Sequence, residues 1–566
     1  MAALNELFRQ QSSGGVFRIA PCAVVVAMAT LGATQGAQAF EVDTGNPDFD
    51  IRLDTQVRYS AGWRMEKQNS AFANSPSYDS TEAFAKRGDM ITNRINLLSE
   101  LDVVHNQTYG FRVSGSAWRD FAYGSSPKGD SATSEYDGGQ YNGYASRFHR
   151  GFSGEILDAF IFANFEDLAV PVRFKLGQHT VYWGEGIFAS MHSISYSQGP
   201  LDGLKAATSP GIEAKEVFMP VNQFSGQAQL TPELSFAFQY MLDWKPTRIP
   251  AGGTYFAGAD LVRADRVVAA VIPGVGPVTF PIGDDIEPDK KHGQFGVNLR
   301  WAPDWLQGTA GIYYRRFNET LPWTALRLTG GGPLPDDLHF AYPENTQLYG
   351  LSLTKAIGPV SVGSEISYRK NTALIGVPSG DFSAVGDLLG EEGPRGNTWH
   401  ALVNGVYLLP KTALWEGGQL IGELVYSRLD KVTKNEALFY GEGSPGCIGL
   451  SKSDGCATKD MWLAQVNFSP EYTQALPGVN LTLPFSVAYG IKGNGATLGG
   501  GNEGAVTWSA GVTANVREKY EFSLKYNDSY TKYKRDSNTG LVTTQNGSNA
   551  IQNNHGWLSF NFKTSF

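Results

Sequence analysis

The sequence predicts an all-β protein: a transmembrane antiparallel β-barrel of about eighteen strands, with sixteen as the alternative count, behind a cleaved signal peptide. Three observations carry this reading. Segments long enough to cross a bilayer alternate apolar and polar residues, and the connections between them alternate short and long. After residue 39, no run approaches the roughly 20 apolar residues that a membrane helix needs.

Arg9 and Arg18 precede an apolar run over 22–33, and Ala37-Gln38-Ala39 supplies the small-x-small pattern of a signal peptidase site. Cleavage is expected before Phe40, so that 1–39 is the signal peptide and 40–566 the barrel with its long loops. The run is too short to span a hydrocarbon core of about 30 Å as a helix. Cys22, which follows Pro21 at the front of the run, does not fit a lipoprotein site.

The first strand shows the alternation plainly. Ile51, Leu53, Val57, Tyr59, Ala61 and Trp63 interleave with Arg52, Asp54, Gln56, Arg58 and Ser60, one face apolar and the other charged. Ile95, Leu97, Leu101 and Val103 repeat the pattern, as do Tyr109, Phe111, Val113 and Ala117. Near the end, 506–516 and 520–526 form a hairpin about Arg517-Glu518-Lys519. The last segment, 557–566, carries Leu558, Phe560, Phe562 and Phe566 on one face. A terminal amphipathic strand ending in an aromatic residue resembles the signal read by the barrel assembly machinery. Further strands are expected at 154–166, 172–183, 222–230, 234–244, 292–302, 307–317, 346–355, 360–370, 397–408, 418–428, 459–469 and 480–492. The even count places both termini in the periplasm.

Composition agrees. Gly 66, Tyr 25, Phe 32 and Trp 12 suit strands, turns and aromatic girdles, and 18% charged residues is low for a soluble chain. A mean hydropathy of -0.24 decides nothing, because only alternate strand residues face lipid. The net charge of -9, with no basic stripe, excludes a nucleic-acid partner.

An eighteen-stranded barrel leaves an aqueous lumen. The inward register carries both signs, among them Arg58, Arg94, Arg112, Arg173, Lys175, Arg300, Glu365, Arg369 and Glu423. These form either a self-paired solvated face or a cationic track opposite acidic loop residues. The loop at 184–221 mixes small and apolar residues with charges; it either folds into the lumen or covers its neighbours outside. Expected constriction residues are Arg58, Arg112, Arg173 and Lys175 from the wall, with Glu185 and Asp202 from this loop. The next loop holds an apolar stretch, 267–280, that would meet lipid headgroups, a greasy solute or another loop.

Removal of the signal leaves Cys447 and Cys456, close in sequence and in an oxidising compartment, which favours a disulfide over a metal site because no histidine lies nearby. The eight histidines show no metal-ligand spacing, and the acidic run Asp284, Asp285, Glu287 and Asp289 reads as a solvated loop rather than a calcium site. No cofactor, metal or catalytic constellation is expected, and the chain is read as a non-enzyme.

Several ordered blocks carry a family resemblance: Gly177-Gln178, Trp183-Gly184-Glu185, Lys215-Glu216, Pro220-Val221, Asp243-Trp244-Lys245-Pro246, Gly253-Thr254-Tyr255-Phe256, Tyr342-Pro343-Glu344 and Glu365-Ile366-Ser367-Tyr368-Arg369. With them the chain resembles the proteobacterial outer-membrane family catalogued as domain of unknown function thirteen-oh-two, over nearly all of its mature length. The resemblance implies a barrel embedded among outer-membrane lipids. It further implies a hydrophobic or amphipathic cargo of lipid, steroid or aromatic type, a periplasmic partner protein and an inner-membrane exporter. It supplies no functional residues. A general or anion-preferring porin and a plugged surface-interaction barrel are the alternatives.

Overall fold

The computed structural model describes residues 40–42, 44–129, 133–209, 212, 214–327, 335–377, 392–547 and 550–566. The expected signal peptide, 1–39, lies outside them.

Eighteen strands close into one antiparallel ring. They are β1 Phe49–Arg64, β2 Met90–His105, β3 Tyr109–Asp120, β4 Gly151–Phe165, β5 Val172–His179, β6 Val221–Gln229, β7 Leu234–Met241, β8 Phe295–Trp301 and β9 Gly308–Phe317. There follow β10 Thr346–Ile357, β11 Val360–Ala373, β12 Arg395–Leu408, β13 Gly417–Lys434, β14 Asp460–Leu476, β15 in two pieces, Val479–Thr482 and Phe485–Lys492, β16 Val506–Val516, β17 Tyr520–Tyr530 and β18 Trp557–Ser565. Each strand pairs with the next, and β18 returns to β1, so no edge is left unpaired. Phe566 completes the seam: its N–H donates to the Thr55 carbonyl at 2.9 Å and its carbonyl accepts from Thr55 N–H at 3.1 Å.

The alternation sorts the side chains as expected. Leu97, Phe111, Val113, Ile161, Leu299, Ile312, Leu351, Val403 and Leu524 all face outward. Around them runs an aromatic belt formed by direct cross-strand partners, Tyr314 to Tyr349 to Tyr368 to Trp399. Ring centroids lie 5.1 Å apart for Tyr314–Tyr349 and 4.7 Å apart for Tyr368–Trp399. An apolar band with an aromatic girdle is the surface that a bilayer selects. The protein is a bacterial outer-membrane barrel.

Several strands depart from the expected bounds: β13 and β14 run on to Lys434 and Leu476, past the expected 428 and 469. The segment 480–492 is interrupted at Leu483-Pro484, because proline has no N–H to give the ladder; β14 pairs with both halves. β5 stops at His179 rather than 183, since the chain turns there into the lumen.

Nine long connections gather at one end of the barrel and eight short turns at the other; these are called the loop end and the turn end. At the loop end the first, second and fourth long loops share an aromatic core of Phe84, Tyr123, Tyr136, Tyr141 and Tyr255, seated on Ile91 of β2 and Trp557 of β18. Arg64 and Glu82 are fully buried there at 3.2 Å, and His555 Nε2 lies 2.9 Å from Glu82. The apolar stretch of the fourth loop forms a hairpin, Arg266–Ile272 with Gly276–Pro281. Val267 and Phe280 at its base meet Leu338 and Phe340 of the fifth loop, while Val275 at its tip is 79% exposed. Another loop is therefore the main contact of that stretch. Asp285 of the acidic run pairs with Arg263 at 2.6 Å.

Cys447 and Cys456 are joined as a disulfide with a Cα–Cα distance of 6.2 Å. Closing a loop this short removes about 2.7 kcal/mol of unfolded-chain entropy. Replacing both cysteines with serine is expected to make residues 445–457 cleavable by trypsin at Lys452 while heat-modifiable mobility of the barrel is unchanged. Equal resistance of both proteins would show that neighbouring loops hold the segment unaided.

Candidate functional site

The third long loop, residues 180–220, is drawn into the lumen by charges that the strand alternation points inward. Glu365 on β11 and Glu423 on β13 are only 6% and 3% exposed, yet among the described residues neither faces a cation at bonding distance. Each instead accepts loop backbone N–H groups. Glu365 takes those of Glu185, Gly186 at 2.9 Å and Ile194 at 2.7 Å. Glu423 takes Ile187 at 2.7 Å, Phe188 at 3.1 Å and Ala189 at 2.7 Å. Arginines of the same wall serve the carbonyls: Arg315 on β9 donates to Ile194 and Tyr196, both at 2.8 Å, and Arg369 on β11 donates to Ser193 at 3.0 Å. An irregular segment inside a barrel needs such partners for its main-chain groups. Gly184 has φ +98 and approaches the Glu365 carboxylate so closely that a side chain would displace it.

The far part of the loop is tied to the opposite wall. Asp202 accepts from Lys205 N–H at 2.9 Å at the start of the helix Gly203–Thr208 and pairs with Arg248. Arg248 reaches Glu155 of β4 at 2.8 Å, and Lys205 reaches the same carboxylate at 3.2 Å. Glu216 pairs with Arg58 of β1 at 2.6 Å, both buried. In a ring of eighteen, β4 and β13 are nine strands apart. A loop that touches Glu155 and Glu423 therefore crosses the full width of the lumen.

Between this strap and the β3–β5 wall lies a cavity of about 660 Å³. The wall supplies Arg112, Asp158, Phe160, Lys175 and His179; the loop supplies Tyr182, Ile187, Phe188, Leu201, Ile212, Val217 and Phe218. Lys175 Nζ sits 4.8 Å from the Phe160 ring centroid. Arg112 is held by Asp102 at 2.6 Å, with Glu100 at 3.9 Å, and keeps a third of its side chain open.

The six expected constriction residues thus divide. Arg58 and Asp202 tether the strap at one wall. Glu185 lies at the other, with its side chain 3.2 Å from Ser352 and 3.5 Å from Arg300. Arg112 and Lys175 come together in the cavity. Arg173 stands apart at the turn end, exposed, paired with Glu166 at 2.6 Å and beside Pro171 and Gln229. Arg58, Arg112 and Arg173 each pair with a carboxylate.

Fold and lumen together define an outer-membrane β-barrel crossed by an inward loop. The chain belongs to the family described as Protein of unknown function (DUF1302), whose model matches residues 20–566. No curated protein matches it. Among solved structures it is similar to the outer membrane channel DcaP of Acinetobacter baumannii, at 11% identity and TM-score 0.35, covering 93% of this chain and 99% of that one. It is also similar to OccAB3 of Acinetobacter baumannii, at 8% identity and TM-score 0.41, covering 91% and 99%. A third is OccK2 (OpdF) of Pseudomonas aeruginosa in complex with glucuronate, at 10% identity and TM-score 0.37, covering 94% and 99%.

Proposed function

We propose that the barrel is a channel for an amphipathic organic solute, a lipid, steroid or aromatic body bearing an anionic group. The observation that carries this is the cavity, in which the apolar strap residues Ile187, Phe188, Leu201 and Phe218 face Arg112 and Lys175 across about 660 Å³. That volume suits a small amphiphile rather than a polymer, and one apolar wall with a few placed polar groups is how such bodies are held. A solute poorly soluble in water also calls for delivery at the turn end, which supports a periplasmic partner protein and an inner-membrane exporter, or the reverse route in uptake. A general hydrophilic porin fits less well, because a strap anchored on both walls narrows the path.

The test is current through single barrels in a planar bilayer. An amphipathic carboxylate such as a bile-acid-type steroid is expected to block at lower concentration than a hydrophilic anion of equal charge. Lys175→Glu is expected to weaken that block by about tenfold or more, the factor equivalent to about 1.4 kcal/mol, and to move ion preference toward cations. Equal block by both anions would favour the hydrophilic porin; block untouched by Lys175→Glu would place the solute path elsewhere.

A further inference from the structure

At the loop end, three carboxylates from three different loops converge: Asp79 from residues 65–89, Glu135 from 121–150 and Asp260 from 242–294. Their oxygens lie within 4.8 Å of one another. Asp260 is fixed in place. It is fully buried and accepts from Ser80 N–H and Thr81 N–H, both at 2.8 Å, from Thr81 Oγ1 at 2.5 Å and from Gly253 N–H at 3.3 Å. Asp79 is positioned by the Thr133 hydroxyl at 2.6 Å. Glu135 differs: it is 2% exposed, and its Oε2 is buried with no hydrogen-bond donor among the described residues. The guanidinium of Arg266 does not fill that role, because it donates to the Ser134 carbonyl at 3.0 and 2.8 Å.

A buried carboxylate that lacks a donor on one oxygen and lies beside two further carboxylates is costly unless a cation or a proton compensates it. Burial, reinforced by Asp260 and Asp79, pushes Glu135 up to about 10. Burial likewise raises Asp260 against the hydrogen bonds that lower it. Hard, anionic, all-oxygen donors select calcium or magnesium over softer metals. Calcium takes such carboxylates at about 2.3–2.6 Å with tolerant geometry, whereas magnesium demands a tight octahedron and keeps its waters.

We infer that Asp79, Glu135 and Asp260 bind one divalent cation, calcium in preference to magnesium, which fastens the first, second and fourth long loops to one another at the loop end of the barrel. The site is independent of the lumen cavity. It shares no residue with the strap, so it stands or falls apart from the proposed cargo.

The experiment uses the full barrel in detergent, washed with chelator and then titrated with calcium, magnesium or terbium. Calcium is expected to raise the melting temperature by several degrees over the chelated protein, with magnesium giving a smaller shift. Terbium is expected to luminesce on tyrosine excitation, since Tyr136 adjoins Glu135 in sequence. Glu135→Gln is isosteric and is expected to abolish both signals; lipopolysaccharide carried through purification would give signals that survive this change. If Glu135→Gln does not assemble, Asp79→Asn at the more open position takes its place. No calcium shift in the washed wild-type protein overturns the inference, as does an undiminished shift in the variant. A variant that melts above the wild type in chelator, where the wild type ignores calcium, would establish a shared proton in place of the metal.

Discussion

Alanine at both Glu365 and Glu423 is expected to raise single-channel conductance severalfold and to make the open level noisy. These two carboxylates hold six backbone N–H groups of the strap. A net charge-assisted hydrogen bond is worth about 1.5–3 kcal/mol, so the six sum to roughly 9 kcal/mol at the low end. Reversing a 1:99 equilibrium takes about 5.5 kcal/mol. The margin survives substantial non-additivity, and the freed N–H groups find water once the lumen opens. Glutamine at either position retains one acceptor oxygen and is expected to act more weakly. Deletion of residues 186–212 removes most of the strap and sets the conductance of the unobstructed barrel. If neither the double alanine variant nor the deletion exceeds the wild type, the strap is not the constriction and the loop-end aromatic core is.

Much of this architecture was legible because a barrel strand writes its environment on alternate residues. Val57 and Tyr59 face one way and Arg58 the other whatever the rest of the chain does. The break in β15 was also visible as Pro484, although the flanking alternation masks it. What alternation does not encode is the partner. Glu423 is marked as inward by its neighbours Leu424 and Gly422, but the N–H groups it holds come from residues 187–189, some 235 positions earlier. No local pattern links them. Height along the barrel was more readable than face alone suggests: Arg173 is the second residue of β5, which already places it at the turn end and away from a mid-lumen strap. Arg315 shares the parity of Tyr313, opposite the outward Ile312, and so could have been assigned to the lumen; its role as donor to Ile194 and Tyr196 could not. The three-carboxylate cluster was invisible for the same reason, since Asp79, Glu135 and Asp260 meet only through the folding of three separate loops.

The opposite tether should respond differently, because it is an ion pair rather than a set of amides. Arg58→Ala leaves Glu216 buried without its 2.6 Å partner. Removing one member of a buried pair typically costs about 3–5 kcal/mol, most of it the stranded charge, whereas replacing both by apolar groups of similar size is often neutral. The strap opens locally without unfolding the barrel, so the effect belongs in local exchange rather than in the global melting temperature. Amide hydrogens of the strap helix Gly203–Thr208 are expected to exchange at least roughly a hundredfold faster in Arg58→Ala, the factor that about 3 kcal/mol implies. The pair Arg58→Met with Glu216→Leu is expected to recover most of that protection. Arg173→Ala serves as the contrast: its partner Glu166 is equally exposed, and exposed pairs contribute about 0–1 kcal/mol, so exchange in the strap should not change. Fast exchange in the double apolar variant would mean that the charge itself orients the loop. Wild-type exchange in Arg58→Ala would mean that the contacts of Lys205 and Arg248 with Glu155 suffice to hold the strap on this wall.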